Sequence, residues 1–299
     1  MIRQGYSLRI FLGLTRLHPM AEIAHLQSLC SQTRRDIIRM VHGCQSGHPG
    51  GSLGCVEFLV ALYHEVMRPP TTFTMDGKGE DVFFLSNGHI SPVFYSVLSR
   101  YGYFPVNELG TFRKLNSRLQ GHPATKEKLE GVRMASGSLG QGLSVAIGAA
   151  ITKRMNNDPH LVYTLHGDGE LQEGQIWEAA MYAAAKGIDN LIATVDVNGR
   201  QIDGDTDQVL NMGSLRAKFE AFGWIVFESE GNDLEKLLPV LSACKAATGK
   251  GRPVMNLMHT EMGHGVDFMM GSHSWHGVAP NNDQAARALA QLEETMGDY

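Results

Sequence analysis

Two short apolar segments that each end in an aspartate constrain the fold of this chain most strongly. Residues 161–165 are followed by the sequence HGDG (166–169), and residues 191–195 are followed by DVNG (196–199). Both segments are short and rich in β-forming residues, and the Ala-rich stretch 176–186 between them has the composition of a helix. Strand, helix and parallel strand therefore alternate. The sequence predicts an α/β fold with a doubly wound, mostly parallel sheet and helices on both faces.

Polar residues at these two strand ends predict a metal site. Ligands of parallel sheets bind outside the carboxyl ends of strands, so Asp168 and Asn198 are expected to approach one another. Mg²⁺ takes six oxygens and often receives only one or two from protein, with phosphates supplying others. Gly167 and Gly169 allow the backbone to approach such an anion. A Gly-Asp-Gly triplet alone is commonly a turn, but the second strand with its asparagine makes the metal interpretation more specific.

The two halves of this motif resemble the cofactor motif of the thiamine diphosphate enzymes. Five further segments, in the same order, are similar to transketolases in particular: SGHPGGSLG (46–54), LSNGH (85–89), GHP (121–123), GSLGQG (137–142) and GSHSWHG (271–277). The resemblance covers nearly the whole chain from about Met20. Ser138 stands where the family often has proline, and we expect the change to be tolerated because the backbone there binds the ligand.

The resemblance implies two cofactors, thiamine diphosphate and Mg²⁺, for which Ca²⁺ or Mn²⁺ can substitute. It assigns the metal to the side chains of Asp168 and Asn198 and to the main-chain carbonyl of Arg200. The residues that it assigns to the cofactor itself are His48, His89, Gly137, Ser138, Leu139, Gly167, Asp168, Gly169, Glu170, Asn198 and His273.

Five histidines lie in loops among glycines, prolines and serines: His48, His89, His122, His273 and His276. Each alone could be an ordinary surface or hydrogen-bonding histidine, but imidazoles suit proton transfer and hydrogen bonding to sugar hydroxyls. The resemblance implies that His48 and His273 face the donor's reacting carbons and the diphosphate, and that His89 lies near the thiazolium ring. It implies that His122 binds the donor's terminal hydroxyls. His273 is placed first, with His276 as its alternate.

The resemblance also implies a partner. Complete transketolases carry a pyrimidine-binding domain after the present one, with the glutamate that activates the cofactor, and this chain ends at Tyr299. The expectation is a split transketolase in which residues 20–299 form the diphosphate and metal domain. A C-terminal subunit would complete an α₂β₂ enzyme, with Glu173 and Glu178 near the subunit interface. Such an enzyme moves a two-carbon ketol unit from a ketose, usually phosphorylated, to an aldose in pentose phosphate metabolism.

Three other functions are compatible with parts of the pattern. The alpha subunit of a 2-oxo acid dehydrogenase shares the Gly-Asp-Gly motif but gives no reason for the loops of His48, His122 and His273. Deoxyxylulose-phosphate synthases usually hold both domains in one chain. A cofactor-binding subunit without turnover would not need the metal ligands and histidines. A dinucleotide-binding dehydrogenase is excluded because no strand is followed by a Gly-x-Gly-x-x-Gly turn.

Composition limits the remaining options. The 299 residues are 43% hydrophobic, enough for a sizeable core, and the net charge of −5 offers no broad basic surface for nucleic acid. Cys30, Cys44, Cys55 and Cys244 lack metal-type spacing and are expected to be reduced thiols in the cytoplasm. No apolar run is long enough for a membrane span. Residues 1–19 carry three arginines and no acidic residue, and are expected to be a non-core extension, with a targeting peptide as the alternative.

Overall fold

A five-stranded parallel sheet forms the centre of the protein. The computed structural model describes residues 20–299, with side chains from residue 23, and the predicted extension 1–19 lies outside them. The strands are β1 (Val82–Leu85), β2 (Val162–Gly167), β3 (Leu191–Val197), β6 (Ile225–Glu230) and β7 (Val254–His259). They lie in the order β1-β2-β3-β7-β6 and every adjacent pair is parallel. The predicted parallel α/β sheet is confirmed.

Helices cover both faces of this sheet, and each face has its own apolar core. One core joins the sheet to α1 (Met20–Cys44), α2 (Pro49–Gly54), α3 (Val56–Ala61), α4 (Ser91–Tyr101), α9 (Leu234–Ala247) and α10 (Asn282–Gln291). The other joins it to α5 (Gly142–Met155), α6 (Gly174–Ala185) and α8 (Leu215–Ala221). A short helix, α7 (Thr206–Leu210), follows the hairpin of β4 (Arg200–Gln201) and β5 (Gly204–Asp205). Within residues 20–299, no helix has the length and apolarity to cross a membrane.

Most predicted elements are present, but two of the predicted helices differ in their first residue or in their helix type. The helix predicted at 139–155 begins only at Gly142, because residues 137–141 form an irregular loop. The helix predicted at 56–67 is α3 followed by a π-helical turn, Leu62–Met67. Helix α2 was not predicted, since its three glycines are poor helix formers. All of its residues are buried, and burial outweighs propensity there.

The carboxyl ends of β1, β2 and β3 meet at one edge of the sheet. Gly167 at the end of β2 is in register with Asp196, which in turn is in register with Met258 of β7. Loops that leave these strands therefore start side by side. This alignment brings the segments that were separated in the sequence into one region.

Candidate active site

A cleft of about 340 Å³ opens at this edge of the sheet. Its polar lining comes from the loops that follow three strands: Asn87 and His89 after β1, Asp168 after β2, and Asn198 after β3. The remaining lining residues include His48, Gly137, Leu139, Gly167, Gly169, Glu170, Arg200, Gln201, Ile202, Met262 and His276. Most residues predicted for the cofactor thus lie around one cavity.

Asp168 is almost completely buried beside the cleft, with 3% of its surface exposed. Its carboxylate accepts hydrogen bonds from the backbone N–H groups of Gly169 (2.7 Å) and Gly199 (2.6 Å). Burial and the neighbouring Asp196 raise the pKa of Asp168 to about 7. Among residues 23–299 no lysine or arginine pairs with it, so a bound cation would offset a charge that is otherwise uncompensated.

Asn198 is held in place by its neighbours. Its Oδ1 accepts a hydrogen bond from the backbone N–H of Arg200 (2.8 Å), and its Nδ2 donates to the buried Asp196 (2.7 Å). Asp196 also accepts from the Thr260 hydroxyl, so β3 and β7 jointly orient the amide. The sequence analysis assigned no role to Asp196, and its position two residues before Asn198 is the signal that could have identified it. Within the described chain, no three His, Cys, Asp or Glu residues group as metal ligands, so a metal would need oxygens from Asn198, the main chain and a ligand.

Glu170 holds the glycine loop before α5 (residues 137–141) in place through hydrogen bonds. This carboxylate accepts hydrogen bonds from the backbone N–H groups of Gly140 (2.8 Å) and Gly167 (3.1 Å) and from the Ser86 hydroxyl. The Ser86 oxygen in turn accepts from the Gly142 N–H (3.0 Å). Although burial opposes ionisation, the nearby His166 and these hydrogen bonds keep the pKa of Glu170 below its usual value. Glu170 lines the cleft, but its carboxylate is engaged in holding the loop.

Gly137 and Gly142 are required by the shape of this loop. Gly137 has φ +124°, a conformation that side chains disfavour, and a Cβ there would lie 2.9 Å from the His122 ring. A Cβ at Gly142 would lie 2.3 Å from Ser86. The side chain of Ser138 is exposed, which agrees with the expectation that its replacement of proline leaves the backbone path intact.

Four of the predicted histidines form a cluster, in which His48, His89 and His276 line the cleft and His122 is exposed beside them. The ring centroid of His48 lies 5.2 Å from that of His89, 6.1 Å from that of His122 and 5.6 Å from that of His276, and the rings of His89 and His276 are 5.0 Å apart. Burial is the main cause that lowers the pKa of all four. The pKa of His48 falls to about 4. At neutral pH these rings are therefore uncharged.

His273 is not part of this cluster. It is exposed and begins a short 3₁₀ turn, His273–Trp275, whereas His276 directly after the turn lines the cleft. The Trp275 indole N–H donates to the Phe268 carbonyl (2.9 Å) and fixes the turn. His276, the predicted alternate, thus lines the cleft, and one 3₁₀ turn of chain separates it from the exposed His273.

Several buried polar atoms around the cleft have no hydrogen-bond partner in residues 23–299. They are Asn87 Oδ1, Gln201 Oε1, His48 Nδ1 and His276 Nδ1. Buried polar groups are ordinarily paired, so this surface fits a polar ligand. Gln201 was not predicted, and no motif in the sequence marks it. It reaches the cleft because the β4–β5 hairpin folds over Gly169, whose Cβ would lie 3.1 Å from Gln201.

Fold and site together define an α/β protein with a polar cleft at the carboxyl edge of a parallel sheet, which is where such folds bind their ligands. Residues 26–295 match the family model described as "Transketolase, thiamine diphosphate binding domain". The chain belongs to the transketolase family and is its thiamine diphosphate-binding domain. The predicted resemblance is confirmed.

The similar characterised proteins include separate transketolase subunits. A 6-deoxy-6-sulfo-D-fructose transketolase subunit of Clostridium sp. (strain MSTE9) is 38% identical over 83% of this chain and 89% of that protein. An apulose-4-phosphate transketolase subunit of Phocaeicola vulgatus is 34% identical over 92% of this chain and 95% of that protein. The prediction of a transketolase-type enzyme subunit is therefore confirmed.

Solved transketolases share the fold. The enzyme from Leishmania mexicana superposes with a TM-score of 0.82 at 28% identity, and that from Campylobacter jejuni with 0.81 at 30%. The matches cover 91% and 89% of this chain. The chain spans 42% of the length of each of these two enzymes.

Proposed function

We propose that this chain is the N-terminal subunit of a metal-dependent transketolase that moves a two-carbon ketol unit from a ketose to an aldose. The observation that carries the proposal is the cluster of four histidines beside the Asp168 and Asn198 strand ends. A cofactor-binding subunit without turnover has no use for neutral imidazoles at this place. An alpha-type subunit of a 2-oxo acid dehydrogenase is the second candidate, but it gives no reason for these histidines.

The proposed metal site consists of Asp168, the Asn198 side-chain oxygen and the main-chain carbonyl of Arg200. Mg²⁺ suits these oxygens and takes its remaining ligands from phosphate and water. The uncompensated carboxylate of Asp168 supports this assignment. When bound, thiamine diphosphate supplies the carbon nucleophile that carries the two-carbon unit.

We assign the diphosphate to the loop of Gly137, Ser138 and Leu139, opposite the strand ends with Gly167 and Gly169. The next amides, of Gly140 and Gly142, are already engaged by Glu170 and Ser86. This leaves the earlier part of the loop free to meet the ligand. Glu170 then positions the loop instead of contacting the cofactor.

The histidines are assigned to the sugar. A neutral imidazole has one nitrogen that donates and one that accepts a hydrogen bond, so it can hold a hydroxyl and take up its proton. His48 and His276 each have a buried Nδ1 without a protein partner in the described chain. We assign His48, His276 and His122 to the hydroxyls of the sugar and His89 to the cofactor side of the cleft.

The donor is proposed to carry an anionic group. The names of two relatives give a sulfonated sugar, 6-deoxy-6-sulfo-D-fructose, and a phosphorylated one, apulose 4-phosphate. We propose a ketose phosphate or sulfonate for this enzyme. Residues that bind the anion would come largely from the partner subunit.

A C-terminal subunit with the pyrimidine-binding domain is the proposed partner, in an α₂β₂ assembly. Relatives of similar length are named as subunits, which implies a second chain. The cleft is flanked by exposed apolar side chains: Ile202 lines it, and Val209 and Leu210 follow on α7. Exposed apolar patches of this kind mark contact surfaces. We propose that the partner covers them.

The test is an assay of ketol transfer by this chain alone and together with a candidate partner encoded nearby. Hydroxypyruvate and xylulose 5-phosphate serve as donors, with mass followed by light scattering. Activity is expected only from the complex. Turnover of a 2-oxo acid with a lipoyl acceptor, without ketol transfer, would favour the dehydrogenase candidate. Cofactor binding by a complex that turns over neither class of substrate would favour a structural subunit.

A further inference from the structure

Arg113 connects the two loops that carry His48 and His122. Its Nη1 donates to the Ser46 hydroxyl (3.1 Å), two residues before His48, and its Nη2 donates to the Gly121 carbonyl (3.4 Å), one residue before His122. The backbone of Arg113 has φ +56°, an unusual conformation for a residue other than glycine. Such a conformation persists only where surrounding contacts impose it.

The guanidinium group is tightly enclosed on the side of Gly121. A Cβ at Gly121 would lie 2.5 Å from the central carbon of the guanidinium group. Nε of Arg113 is buried and has no hydrogen-bond partner within the described part of the chain. The side chain therefore has little freedom to move without displacing one of the two loops.

Arg113 also differs from the neighbouring Arg118 in having no carboxylate partner within the described residues. Arg118, five positions later, pairs with Glu108 (2.8 Å) and Glu130 (2.8 Å). In residues 23–299 no carboxylate pairs with Arg113. A half-buried cation without a counter-charge next to two imidazoles disfavours a second positive charge there.

We propose that Arg113 is a positioning residue of the active site, which holds His48 and His122 at their observed separation and places a positive charge beside both rings. No sequence motif assigns it a role. The inference rests on the proposed function, because it assumes that these two histidines act on the sugar.

Charged and titratable groups around the two rings are consistent with this role. His48 faces His89, His122, His276 and Arg113, and its pKa is lowered by burial, then by His276, Arg113 and His122. The pKa of His122 is lowered by burial and then by Arg113. Asp203 has the opposite effect, a contribution that raises the pKa, but it acts on His276. Arg113 is therefore the one permanent cation acting on both rings within the described residues.

Three variants separate the geometric and the electrostatic parts of the inference. Arg113→Met removes charge and hydrogen bonds, Arg113→Lys keeps the charge, and Ser46→Ala removes one hydrogen bond only. Arg118→Met is the matched control on the same segment. Each variant is first checked for folding by circular dichroism and thermal melting, and Ser46→Ala and Arg113→Lys carry the test if Arg113→Met does not fold.

Two measurements are made. Ring titrations of the full chain with isotope-labelled histidine are followed by NMR, with assignments from His48→Ala and His122→Ala, and kcat and KM of the complex are measured against pH. Arg113→Met should raise the pKa of both rings, move the acid limb of kcat to higher pH and lower kcat about 10–100-fold, the cost of an ångström-scale misplacement. Arg113→Lys should restore the acid limb but not all of kcat. Ser46→Ala should lower kcat without moving the acid limb, and Arg118→Met should do neither.

Wild-type ring pKa values and wild-type kcat in Arg113→Met would overturn the inference, as would equal effects of Arg118→Met. If Arg113→Met does not fold, an unchanged kcat in both Ser46→Ala and Arg113→Lys would overturn it. Failure of the proposed function looks different. The unaltered complex would then show no ketol transfer, while the ring titrations would still decide whether Arg113 lowers the pKa of both rings.

Discussion

The Asp168 carboxylate accepts a 2.6 Å hydrogen bond from the backbone N–H of Gly199, which joins the ends of two adjacent parallel strands. The two halves of the predicted metal motif are thus connected by the protein itself. The carboxylate is oriented before any ligand arrives.

Asp168→Ala is expected to abolish metal-dependent binding of thiamine diphosphate while the chain stays folded. It removes the one carboxylate of the proposed metal site, and loss even of outer-shell partners commonly costs about 10–100-fold in metal affinity. Calorimetric titration of the assembled enzyme with cofactor and Mg²⁺ measures the effect, and chelation of the metal from the unaltered enzyme should reproduce it. Asp207→Asn, an exposed carboxylate on α7, is the control. Unchanged affinity in Asp168→Ala would remove Asp168 from the metal site.

Replacement of His48, His122 or His276 by alanine should impair turnover more than cofactor binding. Loss of a positioned proton-transfer group costs about 10²–10⁴-fold in rate. His273→Ala should have the smaller effect of the two C-terminal histidines, because its ring is exposed outside the cleft. Steady-state kinetics with a ketose donor and separate cofactor titrations measure both quantities. A larger loss of kcat from His273→Ala than from His276→Ala would contradict the geometric assignment.

Glu170→Gln should weaken cofactor binding and destabilise the chain. The carboxylate accepts hydrogen bonds from two backbone amides and the Ser86 hydroxyl, and an amide NH₂ in its place would face another donor. A buried group left without its partner costs about 1–3 kcal/mol. Denaturant unfolding gives the stability change and titration gives the affinity, with the exposed Glu235→Gln as control. Equal stabilities of the two variants would show that the network under the glycine loop contributes little.

The stability of the chain should fall as the pH drops from about 6.5 to 4, in part because of His64. Burial, and secondarily His25, lowers the pKa of His64 in the fold to about 4. The unfolded chain then binds a proton that the folded chain does not, so the contribution is complete above pH 6.5 and is lost as the pH falls. The shift corresponds to about 3 kcal/mol at most.

His64→Phe tests this dependence away from the cleft, where the ring packs against Tyr101 at 5.1 Å. The variant should lose less free energy of unfolding between pH 7 and pH 5 than the wild type. His48 and His89 titrate in the same direction in both proteins, so the difference isolates His64. Parallel pH curves of the two proteins would contradict the prediction.

The local sequence determined the strands, the connecting helix and the residues at their ends. Residues 161–165 and 191–195 are short apolar runs whose β-propensity is a local property, and Asp168 and Asn198 follow them at once, so their meeting at a sheet edge followed from the rule for parallel strands. The resemblance added the five glycine and histidine segments. Cys30, Cys44, Cys55 and Cys244 are all free, as their spacing indicated.

The tertiary structure alone decided how side chains from distant loops share the cleft. One 3₁₀ turn separates the exposed His273 from His276 in the cluster, and sequence spacing gives no measure of such a rotation. Glu170 supports the loop before α5 through Gly140, 30 positions away, and Arg113 reaches the loop of His48 through Ser46, 67 positions away. Those contacts exist because the sheet and its two cores bring separate segments together. Packing between distant segments, and not local propensity, sets the geometry of the site.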